Sequence, residues 1–133
     1  MDWNGGNVRQ KPGPSNSLGR VKFIFPNSNN IYLHDTPAKR LFNEDQRAFS
    51  HGCVRVGEPR ELAIRVLKQD STWTPSKIDA AMSNSYETTV VLKKRIPVYI
   101  GYFTAFFDKN GHLNFRNDVY KRDSRLLKMI TSS

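Results

Sequence analysis

A chain of 133 residues has room for one domain around a single core, and its 38% hydrophobic and 25% charged content is that of a folded chain with a polar surface. No apolar run approaches the roughly 20 residues that a membrane-spanning helix requires, which excludes that class. The formal net charge of +9 attracts anionic polymers and surfaces in general. The lysines and arginines are scattered, however, with small clusters only at Lys93-Lys94-Arg95 and Lys121-Arg122. No recognition helix, zinc-finger spacing or RNA-binding strand signature accompanies them, so no nucleic-acid partner is expected. The single cysteine, Cys53, excludes an internal disulfide. Met1 to Gly6 lacks the basic and apolar regions of a signal peptide.

Up to about Leu18 the chain reads as extended loop, because Gly5-Gly6, Pro12-Gly13-Pro14 and Ser15-Asn16-Ser17 break periodicity. Val21 to Phe25 alternates at period two and predicts a strand. Pro26 to Asn30 is a turn by composition. Ile31 to His34 is then the returning strand of a hairpin, with Tyr32 and His34 on one face and His34 at the strand end. Pro37 to Ala48 is a polar connection pinned by Leu41 and Phe42. A helix starts at Glu58-Pro59 and buries Leu62, Ala63, Val66 and Leu67. A second follows Thr74-Pro75, with Thr74 as N-cap and Ile78, Ala81 and Met82 inside. Glu87 to Leu92 and Pro97 to Phe107 read as strands. Asp108 to Gly111 is a turn, His112 to Phe115 a return strand, and Ser124 to Met129 a terminal helix. This order predicts the α+β class with a mostly β core.

The chemistry is concentrated in Ser50-His51-Gly52-Cys53-Val54-Arg55. A thiol becomes a nucleophile as its thiolate, and a nearby imidazole is the usual means of making one. His51 lies within the motif, and His34 lies upstream. Gly52 permits a sharp turn before the sulfur, and successive N–H groups in such a turn suit a developing oxyanion. Arg55 is a fixed cation that can grip a carboxylate through two parallel hydrogen bonds. Each residue also has a plainer reading. A lone cysteine is most often a small buried hydrophobe, Arg55 an ion-pair partner, Tyr32 packing, and Ser50 a loop hydrogen bond. A zinc site of His34, His51 and Cys53 falls short of four ligands, though an open three-ligand site stays formally available. A papain-like hydrolase places its Cys before its His, the reverse of the order here.

His34, a gap of fifteen residues and then Ser50-His51-Gly52-Cys53 together resemble the L,D-transpeptidase (YkuD-type) catalytic domain of bacterial cell-wall enzymes. Tyr32-Leu33-His34-Asp35-Thr36-Pro37 is similar to the segment around that family's upstream histidine. Arg9 to Pro14 and Leu18 to Phe23 resemble the lead-in of its large Gram-negative branch, so the likeness runs from about Gly5 to about Leu67. The resemblance implies a YkuD-like mixed β-sheet or sandwich core, with one or two helices after the catalytic Cys loop. Because that family has strands ahead of Pro12-Gly13-Pro14, residues 1–133 are expected to be a single, partial catalytic domain whose export signal lies on a missing N-terminal part. The periplasm or cell envelope is its expected location.

The resemblance also assigns roles. Cys53 is the nucleophile and His34 its general base, oriented by the backbone carbonyl of Asp35, whose side chain need not take part. His51, Gly52 and Ser50 form the oxyanion loop. Arg55 and Tyr32 position substrate. No metal or other cofactor is implied. The expected reaction is transfer of a peptidoglycan stem peptide through a Cys53 thioester, giving a cross-link, or trimming of the terminal D-residue when water replaces the amine. Acylation of Cys53 by β-lactams, carbapenems in particular, is expected as well. The alternative is a non-catalytic relic or fragment that keeps the motif and binds wall polymer or a partner chain.

Overall fold

A three-stranded sheet at the centre of the N-terminal unit brings the His34 and Cys53 segments together. The computed structural model describes residues 2–4, 7–13, 15–49 and 53–132, with side chains from residue 10 onward. The chain divides into two compact units, Met1–Pro97 and Val98–Ser133. In the first, strands β1 (Asp2–Asn4) and β2 (Asn7–Arg9) pair antiparallel, with Trp3 opposite Val8. The central sheet has the order β3 (Lys22–Phe23), β4 (Leu33–His34), β5 (Val54–Arg55).

The β3–β4 hairpin is antiparallel, with Lys22 opposite His34 and Phe23 opposite Leu33. Its turn is built around one side chain. The Asn27 amide nitrogen donates to the carbonyls of Phe25 at 2.9 Å and Ile31 at 2.7 Å. Its oxygen accepts from the backbone N–H groups of Asn29 and Ile31, at 3.0 and 2.9 Å. Asn30 has φ of 52°, in the left-handed region that asparagine tolerates. The next pairing is of the other kind: β5 lies parallel to β4, with Leu33 beside Val54 and His34 beside Arg55. Parallel neighbours need a crossover rather than a tight turn. Residues 35–53 supply it, stiffened by a 3-10 helix at Lys39–Asn43 in which Leu41 and Phe42 are half-buried.

Two helices follow β5. Pro59 opens α1 (Pro59–Leu67), where its missing N–H costs nothing, and α2 (Pro75–Ser83) also begins at a proline. The Thr74 hydroxyl accepts from the Lys77 N–H at 3.3 Å, capping α2. The helices pack on each other around Ala63 and Ile78, only 4% and 3% exposed. Arg60 bridges them by a two-pronged pair with Asp79, at 2.6 and 2.8 Å. The expected α+β class, with two helices after the Cys53 segment, is the architecture observed.

The structure departs from the sequence reading in three stretches, one of them the strand expected from Pro97 to Phe107, of which only Ala105–Phe107 forms. The expected loop up to Leu18 contains the β1–β2 hairpin, whose sequence signal was Gly5-Gly6 set between two short β-compatible runs. The strand expected at 87–92 is not formed. An extended run becomes a strand only where a neighbour accepts its hydrogen bonds, and no described segment pairs with this one. Ion pairs lie at and just beyond its ends instead: Lys22 with Glu87 at 3.3 Å and Lys93 with Asp70 at 3.1 Å.

The C-terminal unit consists of an antiparallel hairpin, β6 (Ala105–Phe107) and β7 (Leu113–Phe115), and a helix, α3 (Asp123–Thr131). Asp108 shapes the hairpin turn by accepting from the N–H groups of Asn110 and His112. Asp118 ties the rest together, taking the Tyr102 hydroxyl at 2.6 Å and the N–H groups of Arg122 and Asp123 that begin α3. Among the described residues, no helix in either unit is long and apolar enough to cross a membrane.

Candidate active site

The longest continuous buried stretch among the described residues is polar: His34-Asp35-Thr36. Burying such groups is costly unless each finds a partner, and here they do. The run begins at the end of β4, where the parallel register aligns His34 with Arg55. One step earlier, the Val54 N–H donates to the Tyr32 carbonyl at 3.1 Å, which sets Cys53 beside Tyr32. Register partners project to the same side of a sheet and alternate residues share a face. Tyr32, His34, Cys53 and Arg55 therefore issue from adjoining positions on one face.

The contacts agree with that geometry. Tyr32 meets the His34 ring edge-on, with ring centroids 5.9 Å apart. The Tyr32 phenol lies close enough to Cys53 for the two side chains to interact electrostatically. Burial, followed by the neighbouring Cys53 side chain, holds the Tyr32 phenol above its ordinary pKa. Cys53 is a free, half-buried cysteine.

His34 is 6% exposed, and its Nδ1 lies 2.5 Å from the Asp35 carbonyl. A carbonyl only accepts, so Nδ1 carries a proton, and in the neutral imidazole the lone pair is on Nε2. The Asp35 side chain is equally engaged. Its Oδ1 accepts from the Thr36 N–H at 2.7 Å and from the Lys39 ammonium at 2.7 Å. Its Oδ2 accepts from the Arg20 N–H at 2.9 Å. Burial pushes the Asp35 carboxyl up, but the Lys39 hydrogen bond, the two amides and the Lys39 charge outweigh it and hold the group below the ordinary carboxylate value. Gly19 makes this approach feasible: at φ of 65° it sits where a Cβ would collide with the Asp35 side chain. Lys39 also reaches the carbonyls of Val56 at 3.2 Å and Gly57 at 2.9 Å, just past β5.

Arg55 differs from its neighbours. Its Nη1 is the one buried side-chain nitrogen or oxygen without a hydrogen-bond partner among the described residues. Its guanidinium lies 6.0 Å from the centre of the Phe49 ring, which is 47% exposed. A buried donor left open is costly in the free protein and is satisfied by an incoming acceptor.

Ser50, His51 and Gly52, expected to shape the oxyanion loop, lie outside the described residues. The third ligand of the zinc alternative, His51, is among them. No group of three His, Cys, Asp or Glu suited to a metal gathers among the described residues. Two participants in the local network escaped the sequence reading: Lys39, and the side chain of Asp35. Their signal was the four-residue Asp-to-Lys spacing immediately after His34, opposite charges close enough in sequence to pair.

The sequence matches the YkuD family, described as the L,D-transpeptidase catalytic domain, over residues 1–100. The match carries the likeness past Leu67 and through both helices of the first unit. The chain is also 39% identical over 119 residues to a Haemophilus influenzae protein provisionally named as an L,D-transpeptidase. That alignment covers 90% of this chain and 24% of the relative, so the chain spans about a quarter of its relative's length. The chain belongs to the YkuD family of L,D-transpeptidase catalytic domains.

Proposed function

We propose that the chain performs cysteine-dependent acyl transfer on peptidoglycan stem peptides, in the periplasm or cell envelope, with Cys53 as nucleophile and His34 as base. The observation that carries this reading is the pairing of two features. The His34 ring has Nδ1 committed to the Asp35 carbonyl, and its strand runs parallel and adjacent to the one that follows Cys53 directly.

In the reaction, His34 Nε2 takes the thiol proton and Cys53 Sγ attacks the carbonyl carbon of the L,D-peptide bond. The oxyanion falls to backbone N–H groups at His51, Gly52 and Cys53, a role that rests on the sequence motif and is worth roughly 3 kcal/mol per donor in other acyl-transfer enzymes. The carbon–nitrogen bond breaks, the proton on His34 passes to the leaving amine, and the terminal D-amino acid departs. An amine from a second stem then attacks the thioester, its proton goes to His34, and the carbon–sulfur bond breaks to restore the thiol. Water in place of the amine gives trimming. The open Nη1 of Arg55 suits a carboxylate of the stem peptide, and Tyr32, beside His34, helps to position the substrate.

Intact-mass measurement after incubation with a carbapenem tests the reading, because a β-lactam acylates the same nucleophile. The expected result is one covalent adduct on the wild type, absent from Cys53→Ala and formed more slowly by His34→Ala. A chain with a folded circular-dichroism spectrum and no adduct would favour a non-catalytic relic.

A further inference from the structure

The environment of the His34 imidazole extends one layer further than the carbonyl it touches. The Asp35 carbonyl and the Thr36 N–H belong to a single peptide group, and a peptide group is planar. Its oxygen faces His34 Nδ1, and its N–H donates to Asp35 Oδ1. The carboxylate therefore holds the plane of the same peptide whose carbonyl selects the histidine tautomer. The carboxylate is itself held, by the Arg20 N–H on one oxygen and by Lys39 on the other. Lys39 spends its two remaining donors on the carbonyls of Val56 and Gly57. Those carbonyls lie at the exit of β5, the strand that carries Arg55 and follows Cys53 directly. One ammonium thus ties the base's peptide plane to the nucleophile's strand.

From this arrangement we infer that Asp35 and Lys39 form a positioning pair, which fixes the Nδ1-protonated tautomer and the aim of His34 and couples it to the Cys53 strand. Neither side chain touches the reacting atoms. They act through the 35–36 peptide and through the β5 exit. The inference rests on His34 being the base for Cys53, and its test is arranged so that the two can fail separately.

The Lys39→Met and Lys39→Arg variants carry the test, since the Lys39 side chain is 45% exposed. Asp35→Ala is the harsher companion. Long-range proton–nitrogen correlation spectra of the nitrogen-15-labelled chain, recorded where the imidazole is neutral, report the tautomer directly. The wild type and Lys39→Arg are expected to show His34 protonated at Nδ1, and Lys39→Met a mixture of the two tautomers. Alkylation of Cys53 by iodoacetamide at neutral pH supplies the second readout. Lys39→Met is expected to slow it about 5- to 10-fold and Lys39→Arg less than about twofold, with no further loss when Lys39→Met is added to His34→Ala. A structural defect alone would instead slow the His34→Ala background as well. An unchanged tautomer with unchanged alkylation in Lys39→Met overturns the positioning pair. Alkylation indifferent to His34→Ala overturns the base assignment beneath it.

Discussion

At the scale of single residues, the site is a set of polar side chains whose partners differ in kind. His34 and Asp35 are satisfied within the fold, whereas Arg55 keeps a buried donor open. Tyr32 differs from both: its ring meets that of His34 edge-on, and its phenol is raised chiefly by burial. Tyr32→Phe removes the hydroxyl and keeps the ring against His34, so it is expected to change the alkylation rate of Cys53 less than His34→Ala does. The fold should survive, as the ring and its contact with His34 remain; alkylation rates beside a thermal melt check both points. Tyr32 was legible as a neighbour of His34 by strand alternation. Its contact with Cys53 was not, because two segments some twenty residues apart meet only through the parallel register.

At the scale of elements, the segments read correctly were those whose signals are local. Proline at the first helical position, Thr74 at a cap and apolar residues at helical spacing all act within one or two turns. The residues at 87–92 show the converse, since β-branched composition supports a strand without supplying its partner. The helix pair α1–α2 is held mainly by a small apolar contact. Ile78→Ala is expected to cost about 2–4 kcal/mol, because the side chain is buried and its loss leaves a cavity. Urea unfolding should show a lower midpoint with an unchanged slope. The exposed Arg60–Asp79 bridge matters less, and its contribution should fade with added salt.

For the molecule as a whole, pH couples the site to stability through Asp35. Its folded pKa lies below the unfolded value of about 3.9, so it stabilises the fold fully above that pH. This contribution is lost as the pH falls through the lower folded value. In Lys39→Met the carboxylate loses its cation while its burial stays, so the loss is expected at higher pH than in the wild type. Acid titration followed by circular dichroism compares the two midpoints, and coincident curves would refute the assignment. By itself the sequence determined the family motif, the α+β class, both helix starts after Cys53 and the β3–β4 hairpin. Each of these depends on residue types at short spacing or on a recognisable pattern. Tertiary structure alone decided that β5 lies parallel to β4, that Lys39 spans them, and that one face carries Tyr32, His34, Cys53 and Arg55. A crossover brings distant residues into register, and no periodicity within either strand encodes which strand will become its neighbour.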